Sequence, residues 1–141
     1  EYVGEDGTKH RPVMMHRAIL GSFERFLGVL IENYSGKLPI WLAPTQIVFM
    51  TVTDEVSDYA SSLKAQCDAL NLRAELDLRN EKIGYKIREH SNAKVPLMAV
   101  IGKEEMISNT VSIRNLSENK TDTYSVEEAM NLLVDSSSLP S

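Results

Sequence analysis

Cysteine is almost absent from this sequence. Cys67 stands alone among the 141 residues, which excludes an intramolecular disulfide framework and a multi-cysteine zinc site, and suits a reducing, cytoplasmic setting. No apolar run approaches the ~20 residues that a membrane-spanning helix needs. The opening, EYVGEDGTKHRP, is polar and lacks the apolar stretch of a signal peptide. An initiator Met is missing as well, and the expectation is a chain cut from something longer. Positive charge is in deficit: 15 Lys and Arg face 20 Asp and Glu, a net charge of -5. Sequence-independent binding to nucleic acid runs on Lys and Arg neutralising phosphates. The acidic balance alone therefore argues against any nucleic acid as a partner, DNA included, and it confines any RNA role to a local basic face and base-edge contacts.

What is present has the balance of an ordinary globular protein, with 43% hydrophobic and 25% charged residues, enough for one domain or one domain plus a fragment. Val13-Met14-Met15 reads as a short strand after the Gly7 turn and Pro12. From Ile19 the residues Leu20, Phe23, Phe26, Leu27, Leu30, Ile31 and Tyr34 recur at helical spacing, with Gly36 as the C-cap. That helix is apolar over a wide arc, so the face of Leu20, Phe23, Leu27 and Ile31 is expected to fold back on the main domain or to drive self-association. Residues 36–44 (GKLPIWLAP) form an extended linker, and the domain boundary falls there, after residue 41.

Beyond the linker the pattern becomes regular. Residues 46–52 (QIVFMTV) read as a buried strand. Asp54 is placed as the N-cap of a helix with the stripe Val56, Tyr59, Ala60, Leu63, Cys67 and Leu70, ended near Asn71. Residues 73–78 alternate Ala74, Leu76 and Leu78 against a wet face of Arg73, Glu75 and Asp77. A helix over about 80–91 follows, with Ile83, Ile87 and Tyr85 turned inward and Lys86 near Glu89 on its surface. Residues 96–101 form a strand ended by Gly102, and a turn at 103–105 leads to a strand over 110–114. A short strand near 121–124 is possible before a helix over 126–134, which Ser125 and Glu128 start as a capping box. The tail over 136–141 is expected to be disordered. The fold class is α/β, with a mixed, mostly parallel sheet of about five strands flanked by three helices.

Two segments carry the chemistry. In residues 16–26, HRAILGSFERF, a lone histidine is no zinc site, and Arg25 on an apolar helix calls for an anion or a carboxylate such as Glu24. In residues 77–90, DLRNEKIGYKIREH, Arg79, Lys82, Lys86 and Arg88 crowd the start of a helix next to a strand end, where α/β sheets bind ligands and helix N-termini welcome phosphate. Tyr59 and Tyr85 are read as core residues ahead of base-stacking ones. A flavodoxin-like nucleotide enzyme fits poorly, because Thr53-Asp54-Glu55 after the first strand is acidic and holds no glycine.

HRAILGSFERF resembles motif 3 of the class II aminoacyl-tRNA synthetases, in the threonyl form. Residues 77–90 resemble the signature of the anticodon-binding domain shared by threonyl, prolyl, histidyl and glycyl synthetases, and WLAPTQIV (41–48) matches its entry. The resemblance implies that residues 1–41 are the strand-helix end of an antiparallel catalytic domain and that 42–141 form the anticodon-binding domain. It implies that Arg25 contacts ATP, that Ser22 and Arg17 lie in or beside the pocket, and that His16 is one of three zinc ligands. Asn80, Lys82 and Arg88 become candidates for anticodon contact, while Glu105 and Arg114 match positions that read the central G and its neighbours. The run 115–119 (NLSEN) is less basic than in many relatives. The partner implied is a threonine tRNA, and the intact parent is a homodimer using ATP, Mg2+ and Zn2+. Motifs 1 and 2 and the other two zinc ligands are missing, and Cys67, His10 and His90 stand in the wrong places. This chain alone is therefore expected to bind none of these cofactors and to make no adenylate. A non-catalytic accessory module is the rival reading, and it has no use for His16 and Arg25 together.

Overall fold

A computed structural model describes residues 1–139 of the chain. Its first part is a small antiparallel ribbon, β1 (Tyr2–Val3) paired with β2 (Lys9–His10), and the helix α1 (Phe23–Asn33). Ser22 caps that helix, its Oγ accepting from the Arg25 N–H at 3.2 Å. At the other end Ser35 takes the left-handed conformation with φ 51°. Its N–H donates to Glu32 O at 3.0 Å and the Gly36 N–H donates to Ile31 O at 2.9 Å. Gly36 thus sits one place beyond the capping position expected of it, in a Schellman arrangement. Val13, Met14 and Met15 form no strand and are about nine-tenths exposed; among the described residues no neighbouring strand satisfies their backbone. No residue of α1 is buried, so the apolar face does not fold back.

The main unit is a five-stranded sheet in the order β4-β3-β5-β6-β7. Its strands are β3 (Ile47–Thr51), β4 (Ala74–Asp77), β5 (Leu97–Ile101), β6 (Thr110–Asn115) and β7 (Lys120–Ser125). β3 pairs parallel with β4 and β5, and β6 pairs antiparallel with β5 and β7. Helices α2 (Ser57–Ala69) and α5 (Val126–Ser137) cover one face and α3 (Ile83–Asn92) the other. A strand covered on both faces must be apolar throughout, and all five residues of β3 are buried. Alternation sends Ile47 and Phe49 toward α2 and α5, into a core with Leu63, Cys67, Ala99, Val111 and Leu133. It sends Val48 and Met50 toward α3, where they meet Met98, Ile83 and Ile87.

Several local elements depart from expectation. Asp54 opens a 3-10 turn (Asp54–Val56) ahead of α2 instead of capping it, and Leu70 at the end of α2 is exposed. Residues 103–105 begin a helix, α4 (Lys103–Ser108), whose first turn is closed by the Gly102 N–H donating to Glu105 Oε2 at 2.9 Å. The capping box at Ser125 is present, with Glu128 Oε2 accepting from the Ser125 N–H at 3.0 Å. α5 runs on through Ser136 and Ser137, two residues expected in a disordered tail; Pro140 and Ser141 of that tail lie outside the described residues. Tyr85 is exposed and not inward.

Candidate nucleic-acid interface

The α3 side of the sheet is only partly roofed. Its apolar cluster is built from β3, β5, α3 and residues next to them. On β6 the inward residues are Val111 and Ile113, so Ser112 and Arg114 point to the opposite, α3 side. Strand pairing sets Thr123 of β7 across from Ser112, and Thr121 across from Arg114. The result is an open polar strip running along β6 and β7, beside α3.

Glu105, on α4, closes one end of the strip. Its Oε2 accepts the Gly102 N–H, and its Oε1 accepts from Ser112 Oγ at 2.9 Å. A Cβ at position 102 would come within 2.9 Å of Glu105 Oε2, so the glycine makes room for the carboxylate. Burial raises the Tyr59 phenol pKa, with the Glu105 charge adding to it; the phenol donates to Thr110 O at 3.0 Å. Arg114 is half-buried and donates to Asn119 Oδ1 in the β6–β7 turn. Among the described residues no carboxylate lies within ion-pair reach of it. A guanidinium held through one Nη2 bond to a neutral amide, with no carboxylate partner, keeps its other N–H groups for an incoming acceptor.

The other three candidates belong to the start and flank of α3. Asn80 lies in the bend after β4, Lys82 is the N-cap residue, and Arg88 sits on α3; all three are exposed. At 100° per residue, Arg88 lies about 200° round α3 from Lys86, on the flank nearer β5, where Ser91 Oγ meets Met98 S.

Two neighbouring cations are not available. Lys86 is fully buried, and its Nζ donates to Thr51 O and Asp77 O, each at 2.9 Å. Arg79 clasps Asp77 with Nε on Oδ1 at 2.9 Å and Nη2 on Oδ2 at 2.6 Å, and its Nη1 reaches Glu89 at 3.1 Å. Asp77, expected on the wet face, is 4% exposed, while Leu78 is the exposed residue. The Arg79 guanidinium, with help from His90 and Lys86, holds the Asp77 carboxyl far below its ordinary pKa against the opposing effect of burial. This cluster pins the end of β4 and the first turns of α3, and so fixes the bend that carries Asn80 and Lys82. Lys86 and His90 at i and i+4, flanking Ile83 and Ile87, were the available signal of a buried polar flank.

The motif at residues 16–26 is less assembled. His16 and Arg17 lie in an irregular, exposed segment, Ser22 serves as a helix cap, and the Arg25 side chain is exposed on α1. Among the described residues no three His, Cys, Asp or Glu gather to hold a metal ion. Cys67 is buried against Met130, His10 bonds Asp6, and His90 bonds Asp77. A zinc site needs three or four ligands, and His16 offers a single imidazole.

Comparison with known proteins agrees with this geometry. Residues 46–136 match the family model described as "Anticodon binding domain". A protein of Caulobacter vibrioides named threonine--tRNA ligase is 56% identical over 133 residues, which cover 94% of this chain and 20% of the relative. Proteins of the same name from Paramagnetospirillum magneticum and from the Wolbachia of Culex pipiens are 57% and 53% identical, covering 92% and 94% of this chain. The chain thus spans about a fifth of the length of these curated relatives. The solved RNA binding domain of threonyl-tRNA synthetase from Cryptosporidium parvum is 29% identical with a TM-score of 0.78, covering 85% of this chain and 30% of that one. The matched segment runs from the start of β3 to the end of α5 and takes in the whole sheet, and on that ground this chain belongs to the anticodon-binding domain family.

Proposed function

We propose that this chain selects a threonine tRNA by its anticodon, as the C-terminal part of a threonine–tRNA ligase. The observation that carries the reading is the strip on β6 and β7. It holds a positioned carboxylate, Glu105, and a guanidinium without an ion-pair partner, Arg114, on the face of the sheet that carries α3, whose start and flank present the exposed Asn80, Lys82 and Arg88. Unstacked anticodon bases offer their edges to such groups, and an arginine fork can satisfy two acceptors of guanine at once. Selection here is by binding energy, and the bond-making chemistry belongs to the longer parent.

In that parent, residues 1–41 are the end of the class II catalytic domain and residues 42–141 the anticodon domain. Arg25 contacts ATP with its Mg2+, Ser22 and Arg17 lie beside the pocket, His16 adds one ligand to a zinc completed elsewhere, and the parent works as a homodimer in the cytoplasm. No helix of the described residues is long and apolar enough to cross a membrane. The chain alone makes no threonyl-adenylate, and threonine-dependent pyrophosphate exchange above a mock preparation refutes that.

The test of the reading is titration with a threonine anticodon stem-loop at low salt. Replacing its central G, or Arg114→Ala in the protein, should each lose about 1–3 kcal/mol of binding. Equal binding to every stem-loop refutes base reading by this strip.

A further inference from the structure

The hydroxyls between Glu105 and β7 have a fixed direction. Ser112 Oγ has one proton, and it lies 2.9 Å from Glu105 Oε1, an ionised carboxylate that only accepts. Ser112 Oγ is also 3.0 Å from Thr123 Oγ1. With the Ser112 proton given to Glu105, Thr123 must donate in that second bond. The chain of protons therefore runs from Thr123 to Ser112 to Glu105, all of it inward. Thr123 is exposed and Ser112 half-buried, and what their oxygens keep for a visitor is lone pairs. Arg114, two residues along β6 on the same side and so about 7 Å away, offers protons and no lone pair. One end of the strip only accepts and the other only donates.

We propose that Ser112 and Thr123 are specificity-determining residues of this face, because they commit their protons inward and leave an acceptor-only row beside Glu105. The proposal rests on the anticodon reading above. A base edge laid along the strip must bring donors to Glu105, Ser112 and Thr123, and an acceptor toward Arg114. Guanine does this: its N1–H and 2-amino group are adjacent donors, and O6 follows as an acceptor. Adenine sets an acceptor, N1, beside its amino group. Uracil brackets its one donor with two acceptors, and cytosine carries its amino group beside two acceptors. A free hydroxyl able to turn either way tolerates any of these, whereas a hydroxyl whose proton is spent does not.

The test uses the 141-residue chain and two stem-loops, one with guanine and one with inosine at the central position. Inosine lacks the 2-amino group alone. The wild type should prefer guanine by about tenfold, the worth of one net hydrogen bond. Ser112→Ala and Thr123→Val should bring that preference within about twofold, with the guanine loop losing more affinity than the inosine loop, and Thr123→Ser should restore it, since a net hydrogen bond is what changes hands. A guanine preference unchanged in both variants, with binding still lost in Arg114→Ala, overturns the role given to Ser112 and Thr123 and leaves the anticodon reading standing. A wild type that binds both loops and an unrelated RNA alike overturns the anticodon reading, and the proposal with it.

Discussion

Asp77 gathers two cations and an imidazole at the end of β4: Arg79, Lys86 and His90. Lys86 is the deepest of them, with no exposed surface, and it also satisfies the carbonyls of Thr51 and Asp77. Removing one partner from such a set strands the others without water. Lys86→Met keeps the volume and should cost about 3 kcal/mol, the low end of the usual range because Arg79 still holds Asp77. A loss of unfolding free energy in urea of less than a third of that refutes the account. The carboxyl also sets an acid limb. Its folded pKa lies below the unfolded value of about 3.9. The unfolded chain therefore binds the proton first, and stability rises with pH through this window. The contribution is full at neutral pH and fades as the pH falls below about 5 toward the folded value. Asp77→Asn should be less stable at pH 7 and lose less on acidification, and parallel acid limbs for the two proteins contradict the assignment.

Among the elements, α1 and the linker behave differently. α1 buries nothing, with Phe23 70% exposed and Ile31 51%. Ile40, by contrast, packs against the main core, and its carbonyl accepts from Gln46 Nε2 at 3.1 Å. Trp41 O and Ala43 O accept from Arg73 at 2.8 and 2.9 Å. Deleting residues 1–36 should leave the thermal midpoint of the sheet domain unchanged and abolish concentration-dependent self-association by sedimentation. Deleting 1–43 removes three hydrogen bonds worth about 1 kcal/mol each and should lower that midpoint. Equal midpoints for the two truncations place the linker outside the domain. The elements legible beforehand were those with a clear local signal: β3 and β5 as apolar runs, α2 by its stripe and α5 by its capping box. α4 escaped because six residues hold too little period, and its start depends on a carboxylate reaching back to Gly102. β4 was misread at Asp77 because alternation reports side, and a buried charge obeys its partners instead. Glu105 and Arg114 were legible from their motif positions. Ser112 and Thr123 were not singled out, because their hydrogen bond needs the β6–β7 register.

At the scale of the whole molecule, charge decides how the chain meets RNA. The net charge is -5, and screening removes most of its effect beyond about 10 Å at 0.1 M salt. What counts is which cations near the strip are free. Arg79 and Lys86 are held by Asp77, Lys103 pairs with Glu55 at 2.7 Å, and Lys120 pairs with Asp122 at 2.9 Å. Lys82, Arg88 and Arg114 have no carboxylate within reach among the described residues. Arg114 belongs to the base edge, and two phosphate contacts, by Lys82 and Arg88, give a slope of log affinity against log salt of about -1.4, at roughly 0.7 per phosphate of single-stranded RNA. The base edges must then supply the rest of the affinity, which salt does not touch. Titrations between 50 and 200 mM salt should therefore lose about sevenfold in affinity, while the preference for guanine holds constant. A slope near -5 means that cations outside the strip, such as Arg17 and Arg25 in the first segment, also meet the phosphates. A guanine preference that fades in step with the salt means the strip reads charge and not base edges.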